Sequence, residues 1–354
     1  MPDLWLPAGP DPLTTHRVES WRVDLLTADD ATVGTLDGVT GLSLDHKAGA
    51  TIHGGGTLSL SDVGQGVDWL SARVMPWFTV DGYGSWPLGV YLLASPRERH
   101  SDGPTSWRVE LLDKLAVLDQ DAVSQSYSLP AGTVVTDAVA TVIAAAGETA
   151  VAITASTETL TSGMVWEAGT TRLRIANDLL ASINYWSLRC DRYGRFTASP
   201  YVRPQDRVPV RAFTPGPDAI VTPDWSKDED LIAVPNRVIV ISDGTLDVTG
   251  LVGLAENTDA SSRFSEPSRG RWITVVEDHD ATSQTVADAI AARRLIELEA
   301  VSATYDIEHA MVPQDLHDVV TLTDGPASVQ GWAVSLVPGE AGPLMLTTLR
   351  GVSS

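Results

Sequence analysis

The residues able to do chemistry gather in two short clusters of acids and histidines. Glu277-Asp278-His279-Asp280 sets three carboxylates and an imidazole side by side, and Glu308-His309 is followed by Asp315, His317 and Asp318. Both carry the oxygen and nitrogen donors that divalent cations take. Four adjacent residues rarely converge on one ion, and acids placed just before a helix favour its N-terminal dipole instead. The second cluster is the better metal candidate, because two strands can bring His309 and His317 together. Residues 313–318 otherwise read as a polar turn. Cys190 is the one cysteine of the chain, which excludes an internal disulfide and a cysteine-based zinc site. On the apolar face of a short strand it reads as a small buried hydrophobe. His53-Gly54-Gly55-Gly56 has the glycines of a phosphate loop but no helix start behind it, so it reads as a flexible hairpin tip. The sequence holds no nucleophile elbow, Walker loop, zinc-protease helix or calcium loop. No carboxylate pair carries a glycosidase pattern. Eleven tryptophans suit a sugar platform, yet most fall on strands at core-facing positions. No residue is assigned a catalytic, cofactor-binding or metal-binding role, and no cofactor is expected.

The elements that would position these groups divide the chain in three. At 354 residues, 43% hydrophobic and 20% charged, it has the composition of a soluble globular protein with two or three cores. No apolar run approaches the roughly 18 residues of a membrane span, and the acidic, Pro-rich start MPDLWLPAGPDP lacks the basic region of a secretory signal. The net charge of −22 opposes non-specific affinity for nucleic acid. It concentrates in residues 211–354, where 22 acids face 9 bases.

Residues 17–118 alternate as strands separated by Gly-rich turns, which predicts a small sandwich or barrel. SWRVDLL (20–26) and SWRVELL (106–112) read as equivalent strands with Trp and Val on one face. Residues 119–210 are mixed. A helix over 133–146 ends at Gly147, and a second begins at Thr170 or Thr171, either of which can cap it. Leu173, Ala176, Leu180 and Ile183 form its apolar face. After Asn184 the period changes to two, with Trp186, Leu188 and Cys190 on one side and a turn at Asp191-Arg192-Tyr193-Gly194. Trp186, Leu188, Cys190 and Phe196 are expected to be buried together, with no ligand nearby. From 211 the strands resume. Asp224–Asp230 reads as a charged turn, NRVIVIS (236–242) as a strand buried on both faces, and 282–300 as the longest helix. That helix would be capped by Thr282 or Ser283 and striped by Val286, Ala289, Ile290, Arg293 and Ile296. Strands at 303–311 and 319–323 and a hairpin of 332–337 with 344–350 close the chain.

The runs Gly132-Thr-Val-Val-Thr-Asp-Ala-Val, Val165-Trp-Glu-Ala-Gly-Thr, Leu179-Leu-Ala-Ser-Ile-Asn-Tyr-Trp and Phe196 to Tyr201 resemble the minor tail or tail-hub proteins of actinobacterial siphophages. Trp86-Pro-Leu-Gly-Val, Trp107-Arg-Val-Glu-Leu-Leu-Asp-Lys-Leu, Val234-Pro-Asn-Arg-Val and Gly270-Arg-Trp-Ile extend the resemblance. It implies a baseplate hub related to that of contractile tails: mainly β with α+β, with two β-barrel-like hub domains, an α+β domain between them and a helical insertion in the second. The boundaries then follow as an extension (1–16), a first barrel (17–118), the α+β domain (119–210), a second barrel (211–255 and 301–354) and the insertion (256–300). The resemblance further implies a homotrimer at the virion's tail tip, assembled in the host cytoplasm. It would close a sixfold tail tube and dock the distal tail protein, the tape-measure protein and tail fibre or receptor-binding proteins. DNA would be met only in passage, with no membrane insertion. Because the sequence ends at Ser354, just after the second β unit, no appended enzyme is expected. The competing expectation is a cell-wall-hydrolysing or glycan-binding tail protein.

Overall fold

The computed structural model describes residues 17–61, 67–100, 104–217, 219–229, 232, 234–242, 250–279, 281, 283–300, 303–324, 327–339 and 344–351. The expected extension over 1–16, Asp230, residues 243–249, Asp280, Thr282 and Ser354 lie outside them. Strand makes up 45% and helix 17%.

The first β unit holds β1 (Glu19–Leu26), β2 (Thr32–Thr35), β3 (Val39–Lys47), β4 (Gly54–Ser61), β5 (Arg73–Val80), β6 (Gly84–Pro87), β7 (Tyr91–Arg99) and β8 (Ser106–Asp113). The alternation that predicted strands also sets their faces. In β4, Leu58 and Leu60 point into the core, as Val109 and Leu111 do in β8. The α+β unit follows as α1 (Leu115–Gln120), β9 (Tyr127–Leu129), α2 (Val135–Ala145), β10 (Val151–Ile153), β11 (Met164–Trp166), α3 (Arg172–Ser182), β12 (Arg189–Cys190) and β13 (Phe196–Ala198). Thr171 caps α3 by accepting from the Arg174 amide, and Gly194 takes φ 75° in the predicted turn. The two longer helices of this unit, α2 and α3, bury Val139, Val142, Ile143, Ile175, Leu179 and Leu180 in one core with Leu188 and Phe196.

The chain then lays down β14 (Arg211–Phe213) and β15 (Val221–Asp228) before leaving for an inserted layer of β16 (Arg237–Ser242), β17 (Leu251–Glu256), α4 (Glu266–Arg269), β18 (Thr274–Asp278) and α5 (Gln284–Ala300). It returns through β19 (Thr304–Ala310), β20 (Val319–Asp324), β21 (Ala327–Pro338) and β22 (Leu344–Gly351). Departure and return are neighbours: the last residue of β15, Asp228, is paired with the first of β19, Thr304.

Four expectations are corrected here. Neither β unit closes into a barrel among the described residues. Both belong to one 14-stranded sheet running β15-β19-β22-β21-β3-β4-β8-β7-β5-β1-β2, with β14, β20 and β6 attached beside that path. The units are joined where Ser335 and Leu336 of β21 pair with Lys47 and His46 of β3. They also share a core, since Phe78, Val80 and Trp86 of the first unit pack with Phe213, Ile307 and Leu336 of the second. Second, His53-Gly54-Gly55-Gly56 is no loose tip. Gly54 to Gly56 open β4, and a Cβ at Gly56 would lie 2.0 Å from the Ser43 carbonyl oxygen. The glycines serve close backbone approach, not freedom of turning. Third, residues 224–228 of the expected charged turn belong to β15, where Trp225 pairs opposite Ile307 after a bulge. Fourth, β16 pairs with β17 on one side and β18 on the other, in a sheet separate from the large one. The boundary expected at 256 therefore falls at the end of β17, inside this three-stranded sheet.

That small sheet is covered on one face only. Val238 and Val240 are buried beneath α5, while Ile241, Val252, Leu254 and Val276 remain exposed. The helix buries Ala287, Ile290, Ala291 and Leu295, a stripe rotated from the expected one. Small side chains win that face because α5 lies against β17 itself: a Cβ at Gly253 would sit 2.2 Å from the Ala287 carbonyl oxygen.

Candidate functional site

The polar groups of the interior collect where the first β, α+β and second β units meet. β8 ends at Asp113, whose carboxylate accepts from the Gly54 amide at 2.6 Å and the Leu115 amide at 2.8 Å. These bonds turn the strand into α1, and burial pushes the carboxyl up to about 6. The next residue, Lys114, is fully buried. Its Nζ lies 2.5 Å from Asp30 Oδ2 and 2.7 Å from Glu148 Oε2. Arg73 completes the set, reaching Asp30 Oδ1 at 2.6 Å and Glu148 Oε1 at 2.5 Å. Two cations and two anions thus close a neutral ring across the boundary between the first β unit and Glu148, just beyond α2. Buried charges persist only when paired in this way.

Beside the ring is a cavity of about 80 Å³. His46, His53, Tyr91 and Asp113 come from the first β unit, Arg189 and Cys190 from β12, and Gln314 and Asp315 from the segment between β19 and β20. The Tyr91 hydroxyl donates to the Leu88 carbonyl at 2.7 Å and lies 2.6 Å from His46 Nε2. Arg192 holds Asp315 at 2.7 Å. Burial pushes the Cys190 thiol well up, so it stays a protonated, unreactive group.

The structure separates the predicted metal ligands. His309 places Nδ1 2.8 Å from the Ala310 carbonyl and Nε2 2.8 Å from Thr347 Oγ1. A carbonyl only accepts, so Nδ1 carries the proton and Nε2 accepts from the threonine. Burial holds this imidazole down at about 4. His317 stacks on Trp186, with ring centroids 4.3 Å apart. Asp318 accepts from the Asp315 amide at 2.8 Å, and burial with Asp315 beside it raises the Asp318 carboxyl to about 6. Glu308 is exposed. In the other cluster Glu277 is bound through both oxygens to Arg294 at 2.6 Å, and this pairing draws it down to about 2. Among the described residues no group of three or more His, Cys, Asp or Glu is placed to hold a metal.

Leu188 and Phe196 are buried together as expected, with Cys190 half-buried against their core. Trp186 departs from them. It reaches across to His317 of the second β unit and lies 4.8 Å from the Tyr201 ring. The ring of charges was missed from sequence. Its one visible signal is Lys114, one of three lysines in the chain, set directly after a strand of alternating apolar residues.

Two β units fused in one sheet, an α+β unit docked on both and an inserted sheet–helix layer define a fold shared with solved tail proteins of phages and with a type VI secretion component. A tail protein from Neisseria meningitidis superimposes with a TM-score of 0.67 at 11% identity, over 94% of this chain and 96% of that one. The 43 kDa tail protein of prophage MuSo2 from Shewanella oneidensis gives 0.62 at 12% identity, over 93% and 98%. An Escherichia coli component of the type VI secretion system, itself similar in structure to the T4 tail proteins gp27 and gp5, gives 0.53 at 10% identity, over 90% and 76%. No protein-family model matches the sequence, and no curated protein matches it.

Proposed function

We propose that this chain is a structural component of a phage tail tip. It would form a trimeric baseplate hub that closes the sixfold tube, adapts it to threefold symmetry and docks distal tail, tape-measure and receptor-binding proteins. The observation that carries the reading is the end-to-end superposition on tail proteins, which takes in all four units of the fold. The interior supports it in kind: the ring of Arg73, Lys114, Asp30 and Glu148 and the Arg192–Asp315 pair are spent on joining units. Two β units per subunit would give three copies six similar faces, the number a sixfold tube presents. The acidic surface would let DNA pass without adhering.

Native mass spectrometry of the purified protein, followed by a cryo-EM map of the tail tip, tests this. The expected results are a trimer and a threefold ring at the end of the tube. A stable monomer within the particle, or a ring of any other order, overturns it. The competing assignment, a cell-wall hydrolase or glycan binder, is tested by zymogram and glycan array, for which the hub reading predicts no signal.

A further inference from the structure

The junction cavity is built unlike the rest of the interior. Several charges of the junction are matched: Arg73 and Lys114 with Asp30 and Glu148, Arg192 with Asp315, Arg195 with Asp191 at 2.7 Å. Arg189 lines the cavity with no such match, and its Nη1 is sealed from solvent with no hydrogen-bond partner among the described residues. Four further lining groups share that condition, His46 at Nδ1 and Trp86 at Nε1 among them. His53, only 8% exposed, leaves Nδ1 unpartnered, and Gln314 leaves both Nε2 and Oε1 so. Arg189, His53 and Gln314 come from three different units and face one space. A buried donor without a partner is destabilising, and native interiors pair nearly all of them with protein, water or an ion.

Among the described residues no carboxylate forms an ion pair with Arg189, and Asp315, Asp318 and Asp191 act on it only at longer range. Asp315 and Asp191 are held by Arg192 and Arg195. Asp113 is taken by two backbone amides. At about 80 Å³ the space is several times the roughly 10–15 Å³ that one water needs, yet too small for a nucleotide or sugar.

We propose that this cavity is a binding site for one small tetrahedral oxyanion of the phosphate class, held by Arg189, His53 and Gln314 and tying the three units together. A guanidinium, an imidazole and a carboxamide converging from separate elements can all donate to such an ion. Its bound charge gives the Arg189 cation the direct partner that Asp315, Asp318 and Asp191, acting at longer range, do not supply. The site locks the arrangement of the units and performs no reaction.

The test is thermal unfolding of the whole chain at pH 7 and constant ionic strength, with inorganic phosphate exchanged for chloride. Binding to the folded state raises the midpoint with the logarithm of phosphate concentration, by about 2–4 °C per tenfold excess over Kd. Arg189→Met should abolish that rise, whereas Arg174→Met, a substitution on the exposed face of α3, should keep it. Should Arg189→Met fail to fold, Gln314→Leu in the same lining provides the same comparison, with the rise reduced at least tenfold in apparent affinity. Calorimetric titration of the wild-type protein with phosphate then reads a single site. Equal responses to phosphate and chloride, or an undiminished response in the Arg189 or Gln314 variants, mean that the cavity holds water only and overturn the proposal.

Discussion

Single residues decide whether the junction holds. Lys114 has no exposure to water and two carboxylate partners. Lys114→Met keeps much of the packing volume but leaves Asp30 and Glu148 sharing only Arg73. Removing one partner of a buried ionic set strands the other charge, at a cost of about 3–5 kcal/mol. Urea denaturation should show a loss of that size, with part of it recovered in the double variant that adds Glu148→Gln. His309 makes a pH-dependent contribution. Its folded value of about 4 lies below the roughly 6.5 of an unfolded chain, so the unfolded state takes the proton first as pH falls. Stability from neutral His309 is whole above about pH 6.5 and drains away down to about pH 4. Arg211 beside it adds to the depression. Asp113 and Asp318 act in the opposite sense, because both are held near 6 when folded and gain stability as they protonate. The comparison that isolates His309 is wild type against His309→Gln from pH 7 to pH 4. The stability gap should narrow as pH falls, by on the order of 3 kcal/mol.

At the level of elements, the inserted layer depends on one close approach. α5 lies on β17 because Gly253 has no side chain to meet the Ala287 carbonyl. Gly253→Ala should lift the helix from its sheet. Hydrogen exchange is then expected to quicken across β16, β17, β18 and α5, while β4, β8 and β22 of the large sheet keep their protection. The same glycine marks what was legible in the sequence. Alternation in SWRVELL and TLSLSD and the 3.6-residue period at 173–183 announce their elements, because local pattern and burial agree there. α5 was found but its buried stripe was turned, since Ala287 and Ala291 are chosen by a neighbour distant in sequence. The glycines at 54–56 look like a turn for a similar reason: their cause is the Ser43 backbone across the ladder. β9 and β11, three residues each, carry too little pattern to be seen. The junction was illegible because His53, Lys114, Glu148, Arg189 and Gln314 are gathered only by the packing of whole units.

For the whole molecule the dominant quantity is charge. With −22 spread over 354 residues, the surface repels a polyanion at any separation within the roughly 8 Å Debye length of physiological salt. Labelled duplex DNA mixed with the protein at about 0.15 M salt should migrate unshifted, and lowering the salt should leave it so. A shift that grows at low salt would contradict a passage lined by this surface.

The pairing of Asp228 with Thr304 bears on how such a chain comes to be assembled. Neighbouring strands lie about 5 Å apart, so the path into the inserted layer and the path out of it occupy one hairpin end. Seen from the large sheet, residues 229–303 are an overgrown turn. A short turn of the Asn-Gly kind has the span to replace them without moving β15 or β19. The layer is thus attached as a cassette, entering and leaving the large sheet through one pair of neighbouring strand ends.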